Sequence, residues 1–391
     1  MNILHVINSM DPSYGGTSQA VRTIVSSLKK IGVASEVVCL DHPAAAFLKK
    51  DLFQIHAIGP SSGPWSYSSN LNTWLYDNLQ RFDAVIVHGL WQYHGYATTK
   101  VFRKIRKHHS GGSQKLFVMP HGMLDPYFQR APERKLKAAR NWLYWKLIEG
   151  DIINKADGLL FTCKTELLLA REPFTPYAPK KELNVGFGIE PPPALTDSMH
   201  SAFFSKCPEL KDQKYFLFIS RIHEKKGVDI LIDAYSRITS NGSPKLVVAG
   251  PGLESEYGMK IQRMVAESNL SNSVFFPGML TGDEKWGCFY NCEAFVLPSH
   301  QENFGIAVVE SLACSKPVLI SDKVNIWREI EAGGGGIVST DNVEGTQKTL
   351  DRWLSLSLEE KQTMTERAKT TYEINFAIDP VAHRIVEALK S

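Results

Sequence analysis

The sequence predicts an α/β fold built of two doubly wound parallel sheets facing across a cleft. Three observations predict it. Short β-rich runs alternate with amphipathic helical stretches, a proline-rich segment from Ile189 breaks the pattern, and the same alternation restarts beyond it. Strands that alternate with helices give parallel sheets covered on both faces, and such sheets bind ligands outside the C-terminal ends of their strands.

Taken in order, Ile3–Ile7 reads as the first strand, followed by a glycine loop and a helix near Ser18–Ile31. Glu36–Leu40, Ala84–His88, Lys115–Pro120 and Gly158–Phe161 repeat the strand signal. The segment Ile189-Glu-Pro-Pro-Pro-Ala-Leu-Thr-Asp-Ser198 can continue neither a helix nor a central strand, and it reads as a linker. Beyond it Tyr215–Ser220, Lys245–Ala249, Val274–Pro277, Ala294–Leu297, Pro317–Ile320 and Gly336–Val338 read as strands, with helices at Val228–Ile238 and Ile306–Cys314. The expected domains are 1–192 and 193–375, and a C-terminal helix over about 376–391, with Val381, Ile385, Val386 and Leu389 on one stripe, packs back on the first.

Length and composition fit this plan. The 391 residues are about twice a typical domain, and 43% hydrophobic with 22% charged residues is ordinary globular usage. Lys+Arg 44 against Asp+Glu 41 gives a net charge of +3, which argues against a nucleic-acid partner. No apolar run has the length of a membrane span, and the start of the chain reads as a strand rather than a leader. Cys39, Cys163, Cys207, Cys288, Cys292 and Cys314 are scattered without metal-type pairing, so they are expected to be reduced thiols of a cytoplasmic protein.

The densest chemical signal is Pro298-Ser-His-Gln-Glu-Asn-Phe-Gly-Ile-Ala-Val-Val-Glu310, which follows a strand and opens a helix. Gly305 admits a ligand close to the backbone, and a helix start attracts an anion such as a diphosphate. Glu302 and Glu310 suit a ligand rich in sugar hydroxyls; the alternative is a cap and a solvated helix residue. In Ser220-Arg-Ile-His-Glu-Lys-Lys-Gly227, Arg221 and Lys226 are placed to neutralise phosphates, or to form a solvated basic loop. Gly15-Gly16 after the first strand permits a tight turn against a ligand. Gly250-Pro-Gly252 has Ser255 where a third glycine of a nicotinamide fingerprint belongs, so it does not read as one. His121 and His88 close two strands of the first domain, and Trp91 offers a flat face to an acceptor. Arg130, Arg134, Lys135, Lys137, Arg140 and Lys146 interleave with Trp142, Tyr144 and Trp145. That pattern suits an anionic membrane surface, or a solvated helix covering the domain.

Together these pieces resemble family 4 of the retaining glycosyltransferases, of GT-B fold with two Rossmann-like domains. The motifs Gly15-Gly16, His121-Gly122, Arg221…Lys226-Gly227, Gly278-Met279-Leu280 and Glu302-Asn-Phe-Gly305…Glu310 arrive in the family's order, and His121-Gly-Met-Leu-Asp-Pro126 resembles the bacterial exopolysaccharide branch. The resemblance implies that Arg221 and Lys226 hold the diphosphate and that Glu310 binds the ribose. It implies that Glu302 binds the transferred sugar with the backbone of Asn303, Phe304, Gly305 and Ile306, that Met279 meets the base, that Gly16 approaches the phosphates and that His121 meets the sugar. It implies no metal and no other cofactor. One departure is Gly186-Phe-Gly-Ile-Glu190, where Phe187 stands at a position that is often asparagine in the family. The expected activity is transfer of a hexose from a UDP-sugar, with a GDP-mannose donor as the alternative, to a glycan or lipid-linked glycan, with peripheral contact at the inner face of the plasma membrane. A sugar-nucleotide epimerase and an inactive nucleotide-sugar-binding scaffold are the rival readings.

Overall fold

The computed structural model describes residues 1–14, 16–108, 114–131, 134–238 and 243–391. The chain forms two compact units, Met1–Gly188 with Ile378–Ser391, and Ile189–Ala377. Each is a Rossmann-like α/β unit with an all-parallel sheet.

The first unit holds β1 (Asn2–Ile7), β2 (Ala34–Cys39), β3 (Gln54–Ala57), β4 (Ala84–His88), β5 (Lys115–Met119), β6 (Gly158–Phe161) and β7 (Glu182–Asn184). Their order in the sheet is β3-β2-β1-β4-β5-β6-β7. Every residue of β4 is buried, as expected of a strand covered on both faces, and Val85 and Val87 join a core with Leu4, Val6, Leu116 and Val118. The other face packs Ile7 and Val37 against Val21 and Val25 of the helix Gly16–Lys30. β3 and β7 escape the sequence reading because they are short edge strands, Gln-Ile-His-Ala and Glu-Leu-Asn, with no apolar run. The C-terminal helix Ile378–Lys390 buries Ile378, Val381, Ala382, Ile385 and Leu389 and packs on Gly16–Lys30. Arg384 ties it down by donating to the Val185 carbonyl at 3.1 Å.

The second unit holds β8 (Tyr215–Ile219), β9 (Lys245–Ala249), β10 (Val274–Gly278), β11 (Ala294–Leu297), β12 (Val318–Ser321) and β13 (Gly336–Ser339), in the order β10-β9-β8-β11-β12-β13. Its last helix, Leu358–Asn375, starts at a capping box: Ser357 Oγ accepts the Glu360 N–H while the Glu360 carboxylate accepts the Ser357 N–H. The helix returns the chain to where the unit began, since the Ile189 N–H donates to the Phe376 carbonyl at 2.9 Å and Tyr372 Oη donates to the Ile189 carbonyl.

In each sheet the strand order reverses once, between β1 and β4 and between β8 and β11. Successive crossovers leave to opposite sides there, so a crevice opens beyond the strand ends. Gly16 follows β1, Arg221 and Lys226 follow β8 and Glu302 follows β11, at these two places, whereas His121 follows β5 and Met279 follows β10.

Candidate active site

In the second unit, β8 runs out into the loop carrying Arg221 and Lys226, and β11 into the loop carrying Glu302. β8 and β11 are neighbours, so the two loops meet. They are stitched together at Lys225, whose carbonyl accepts the His300 N–H and the Ser299 hydroxyl, each at 2.8 Å. Gly227 makes the approach possible. Its φ is +66°, and a Cβ there would overlap the carbonyl oxygen of Pro298.

Lys226 Nζ and the Glu302 carboxylate form an ion pair, with side chains only 12% and 23% exposed. The Glu302 backbone is pinned from both sides: its N–H donates to the Lys323 carbonyl at 3.0 Å and its carbonyl accepts the Asn325 N–H at 2.9 Å. Asn325 also donates to the side-chain oxygen of Asn303. Gly305, at φ 78° and ψ 70°, caps the helix Ile306–Ala313, which begins with no side-chain cap. A left-handed residue turns the chain into a helix whose start faces the loop. Phe304 is buried edge-on against Phe376, and Ile306 is half-buried.

Glu310 lies on the same helix, where burial pushes its carboxyl above the usual carboxylate range and Lys285 pulls it back. Lys285, on the helix Gly282–Asn291, holds it at 2.5 Å. The sequence gives no sign of this lysine, which stands in an ordinary helical run. Arg221 is exposed and has no hydrogen-bonding or ionic partner among the described residues. Met279 is exposed just beyond β10. The structure therefore brings Lys226, Glu302, Asn303 and Gly305 together, with Arg221 on the same β8 loop as Lys226 and Met279 beyond β10, two strands from β8. A lysine, two half-buried carboxylates and a helix start can bind an anion next to hydroxyl groups.

In the first unit the corresponding place is the end of β1 and β4. A cavity of about 370 Å³ opens there, lined by Asn8, Ser9, Thr17, His88, Trp91 and Arg140 among others. Gly16 begins the helix Gly16–Lys30 and is exposed, whereas Gly15 lies outside the described residues. His88 is buried, with one ring nitrogen bonded to His5 and the other to His121, each at 2.9 Å. Its ring is thus already fully engaged by protein. His121 sits at φ 53° followed by Gly122 at φ 78°, and the Gly122 N–H is held by the Glu166 carboxylate at 2.6 Å. Burial drives His121 down to about 4 and His5 down to about 3. Trp91, at φ 72°, donates its backbone N–H to the Glu149 carboxylate, whose burial raises that carboxyl to about 8. Its ring packs on Tyr144 and Phe174.

The reading of Trp145 as a surface aromatic is corrected. It is 1% exposed and stacks on Phe174 at 4.6 Å and 12°, because that ring and Tyr177 offer it apolar faces inside the unit. No cluster of three or more His, Cys, Asp or Glu side chains suited to a metal occurs among the described residues.

The fold is GT-B, an α/β pair of Rossmann-like units, with the candidate site at the reversal point of the second sheet. The chain carries the domain described as Glycosyl transferases group 1 over residues 201–371 and the Glycosyl transferase 4-like domain over residues 15–180. It is 28% identical over 180 residues to an uncharacterized glycosyltransferase of Methanocaldococcus jannaschii, covering 46% of this chain and 45% of that protein. It is 32% identical over 167 residues to O-antigen chain mannosyltransferase C of Escherichia coli, covering 42% and 40%. The chain thus spans less than half the length of these curated relatives. Among solved structures, Anabaena HepE in complex with UDP and glucose superposes with a TM-score of 0.72 at 16% identity, covering 100% of this chain and 99% of that one. A glycosyltransferase from Rickettsia africae gives 0.75 at 16%, covering 100% and 97%.

Proposed function

We propose that the chain is a retaining, metal-independent hexosyltransferase that uses a UDP-sugar, most simply UDP-glucose, and delivers the hexose to a glycan or lipid-linked glycan in bacterial polysaccharide assembly. The observation that carries this reading is the Lys226–Glu302 pair beside the Gly305 helix start, at the point where β8 and β11 diverge. In this reading the diphosphate takes Lys226 as its counter-charge, with Arg221 as a second cation. Glu302, released from Lys226, accepts hydrogen bonds from the sugar, Glu310 accepts from the ribose, and Met279 meets the base through its backbone. In the first unit His121 meets the sugar. The acceptor oxygen forms its bond to the anomeric carbon on the face from which the diphosphate leaves. The bond to the diphosphate oxygen breaks, and that oxygen takes the acceptor's proton. Preorganised cations supply the charge stabilisation that a metal supplies elsewhere.

A structure solved with UDP and glucose supports the uridine donor, and mannosyltransferase relatives keep GDP-mannose as the second reading. Calorimetric titration with the diphosphates of uridine, guanosine and adenosine, then with hexose conjugates of the base that binds, separates them. One diphosphate is expected to bind selectively, and one conjugate to bind and be slowly hydrolysed. Binding by none of them overturns the reading, and interconversion of donor epimers without transfer replaces it with an epimerase.

We further propose that the first unit touches an anionic lipid surface. The helix Lys135–Tyr144 and the turn after it expose Leu136, Trp142, Leu143 and Leu147 among Lys135, Lys137, Arg140 and Lys146. Leu147 borders a groove whose other wall carries Lys100, Arg103, Lys104 and Lys107 of the helix Tyr93–His108. Among the described residues no helix is long and apolar enough to cross a membrane. Apolar groups enter the interface while basic ones meet anionic headgroups, at about 1 kcal/mol per cation. The protein is expected to co-sediment with vesicles of phosphatidylglycerol and phosphatidylcholine but not with phosphatidylcholine alone, and Trp142→Ser with Leu147→Ser to weaken this at least about tenfold. Equal sedimentation with both kinds of vesicle removes the proposal.

A further inference from the structure

His5, His88 and His121 form a hydrogen-bonded file across the end of the first sheet. His5 Nδ1 meets His88 Nε2 at 2.9 Å, and His88 Nδ1 meets His121 Nε2 at 2.9 Å. Adjacent rings are inclined by 22° and 27°, with centroids 5.1 and 5.2 Å apart, so each bond runs between two nearly parallel rings. His5 and His88 are 0% and 1% exposed.

Neutral imidazole carries one N–H and one bare nitrogen, and each bond in the file needs one of each. Only two proton arrangements satisfy both bonds. In the first, every ring is protonated at Nδ1: His5 donates to His88, His88 donates to His121, and the file ends in an N–H at His121 Nδ1. In the second, every ring is protonated at Nε2, the bonds run the other way, and His121 Nδ1 is bare. The buried end of the file decides between them. His5 Nε2 is buried with no partner among the described residues. The first arrangement leaves a bare nitrogen there, and the second strands an N–H. Among buried backbone groups an orphaned N–H is rarer than an under-satisfied acceptor, and the same preference, applied to the ring, favours the first arrangement.

His94 shows the same preference a few ångströms away. Its Nε2 lies 2.9 Å from the carbonyl oxygen of His88, which can only accept, so the proton is on Nε2. Its Nδ1 is therefore bare, buried and unpartnered among the described residues. The surroundings of the file thus already tolerate a bare ring nitrogen.

We propose that His5 and His88 are positioning residues that hold His121 in the Nδ1–H form, so that His121 presents a fixed hydrogen-bond donor. Nε2 of His121 is occupied by His88, and Nδ1 is the nitrogen with no partner among the described residues. The left-handed backbone at His121 and the Glu166 bond to Gly122 fix where the ring stands. Burial keeps all three rings neutral at pH 7, as the proton count requires.

The chemical consequence rests on the proposed reading of His121 as the residue that meets the sugar. A neutral Nδ1–H donates to a hydroxyl or phosphate oxygen and cannot accept a proton at that atom. His121 then orients the donor, and the acceptor's proton goes to the departing diphosphate.

Nitrogen NMR on the full chain with 15N-labelled histidine tests the file directly. At neutral pH, Nδ1 of His5, His88 and His121 is expected in the protonated, pyrrole-type range and Nε2 in the pyridine-type range, with His94 showing the reverse. In His88→Leu, His121 is expected to lose its Nδ1–H form, with kcat/KM about tenfold lower, and His88→Asn, which can still donate at that position, to restore most of both. An Nε2–H signal on His121 in the unmodified protein overturns the proposal whatever the activity, and so it does even where His88→Leu fails to fold. An Nδ1–H signal together with full turnover in His121→Ala keeps the file and overturns the sugar-facing reading of His121 instead.

Discussion

Lys226→Ala is expected to lower turnover of the nucleotide-sugar donor by about 10²–10³-fold, or ~3–4 kcal/mol of transition-state stabilisation, while the fold survives. The loss is large because Lys226 is preorganised. Its side chain is only 12% exposed, its partner Glu302 is pinned through both backbone groups, and its loop is stitched to the Glu302 loop through the Lys225 carbonyl. A cation held this way needs little reorganisation when negative charge builds on a departing diphosphate, and a flexible surface lysine in its place would. The fold survives because Glu302, at 23% exposure, reaches water once the lysine is gone instead of being left sealed and unpaired. Glu302→Gln makes the contrast. It keeps the shape and frees Lys226, so the nucleoside diphosphate is expected to bind at least as tightly as before while selectivity among hexose conjugates falls. Steady-state kinetics and calorimetry on both variants, with circular dichroism confirming the fold, read the two effects apart. Near-normal turnover in a folded Lys226→Ala protein sinks the phosphate role.

Much of this is legible in the sequence, and the exceptions share a cause. The six strands of the second unit stood out because each is a short run of apolar residues between polar turns, as Tyr215–Ile219 and Ala294–Leu297 show. β3 and β7 did not, because an edge strand of three or four residues has neither the apolar run nor the alternation that marks a strand. In the site, Lys226 and Glu302 were visible as residues at strand ends, but their pairing was not. It depends on β8 and β11 being neighbours, and strand order is a property of the fold rather than of any local segment. Lys285 was invisible for the same reason, since only the packing of Gly282–Asn291 beside Ile306–Ala313 brings it to Glu310. His5 leaves a trace in the sequence, as the one polar residue inside the apolar stretch Ile3–Ile7. A histidine there has to find partners on a neighbouring strand, and the register of β1 on β4, with Ile7 opposite His88, supplies one.

Those buried histidines lead to the second large effect, an acid sensitivity confined to the first unit. Burial holds His5 near 3 and His94 and His121 near 4, and keeps His88 well below its ordinary value. In the unfolded chain each returns to about 6.5. Below that pH the unfolded chain binds four protons that the folded unit refuses, so folding stability is complete above pH 6.5 and is lost as pH falls toward the folded values. Glu149 works in the opposite sense. Burial raises it to about 8, so between its unfolded value of about 4.5 and that pH the folded unit keeps a proton that the unfolded chain has released. Four protons less one leaves three, a slope of about 4 kcal/mol per pH unit between roughly pH 6 and 4.5. A typical domain has only about 5–15 kcal/mol to lose. The first unit is therefore expected to open in that window. The second unit buries no histidine among the described residues: His200 and His223 are exposed and His300 is half-buried. Hydrogen exchange read by mass spectrometry and corrected for intrinsic rate distinguishes the two: peptides from β1 and β4 should lose protection between pH 6 and 4.5 while those from β8 and β11 keep theirs. His88→Asn removes one of the four refused protons and should flatten the transition. Full protection of β1 and β4 at pH 4.5 would mean that these rings gain protons in the folded state, and that the burial keeping them neutral is weaker than their packing indicates.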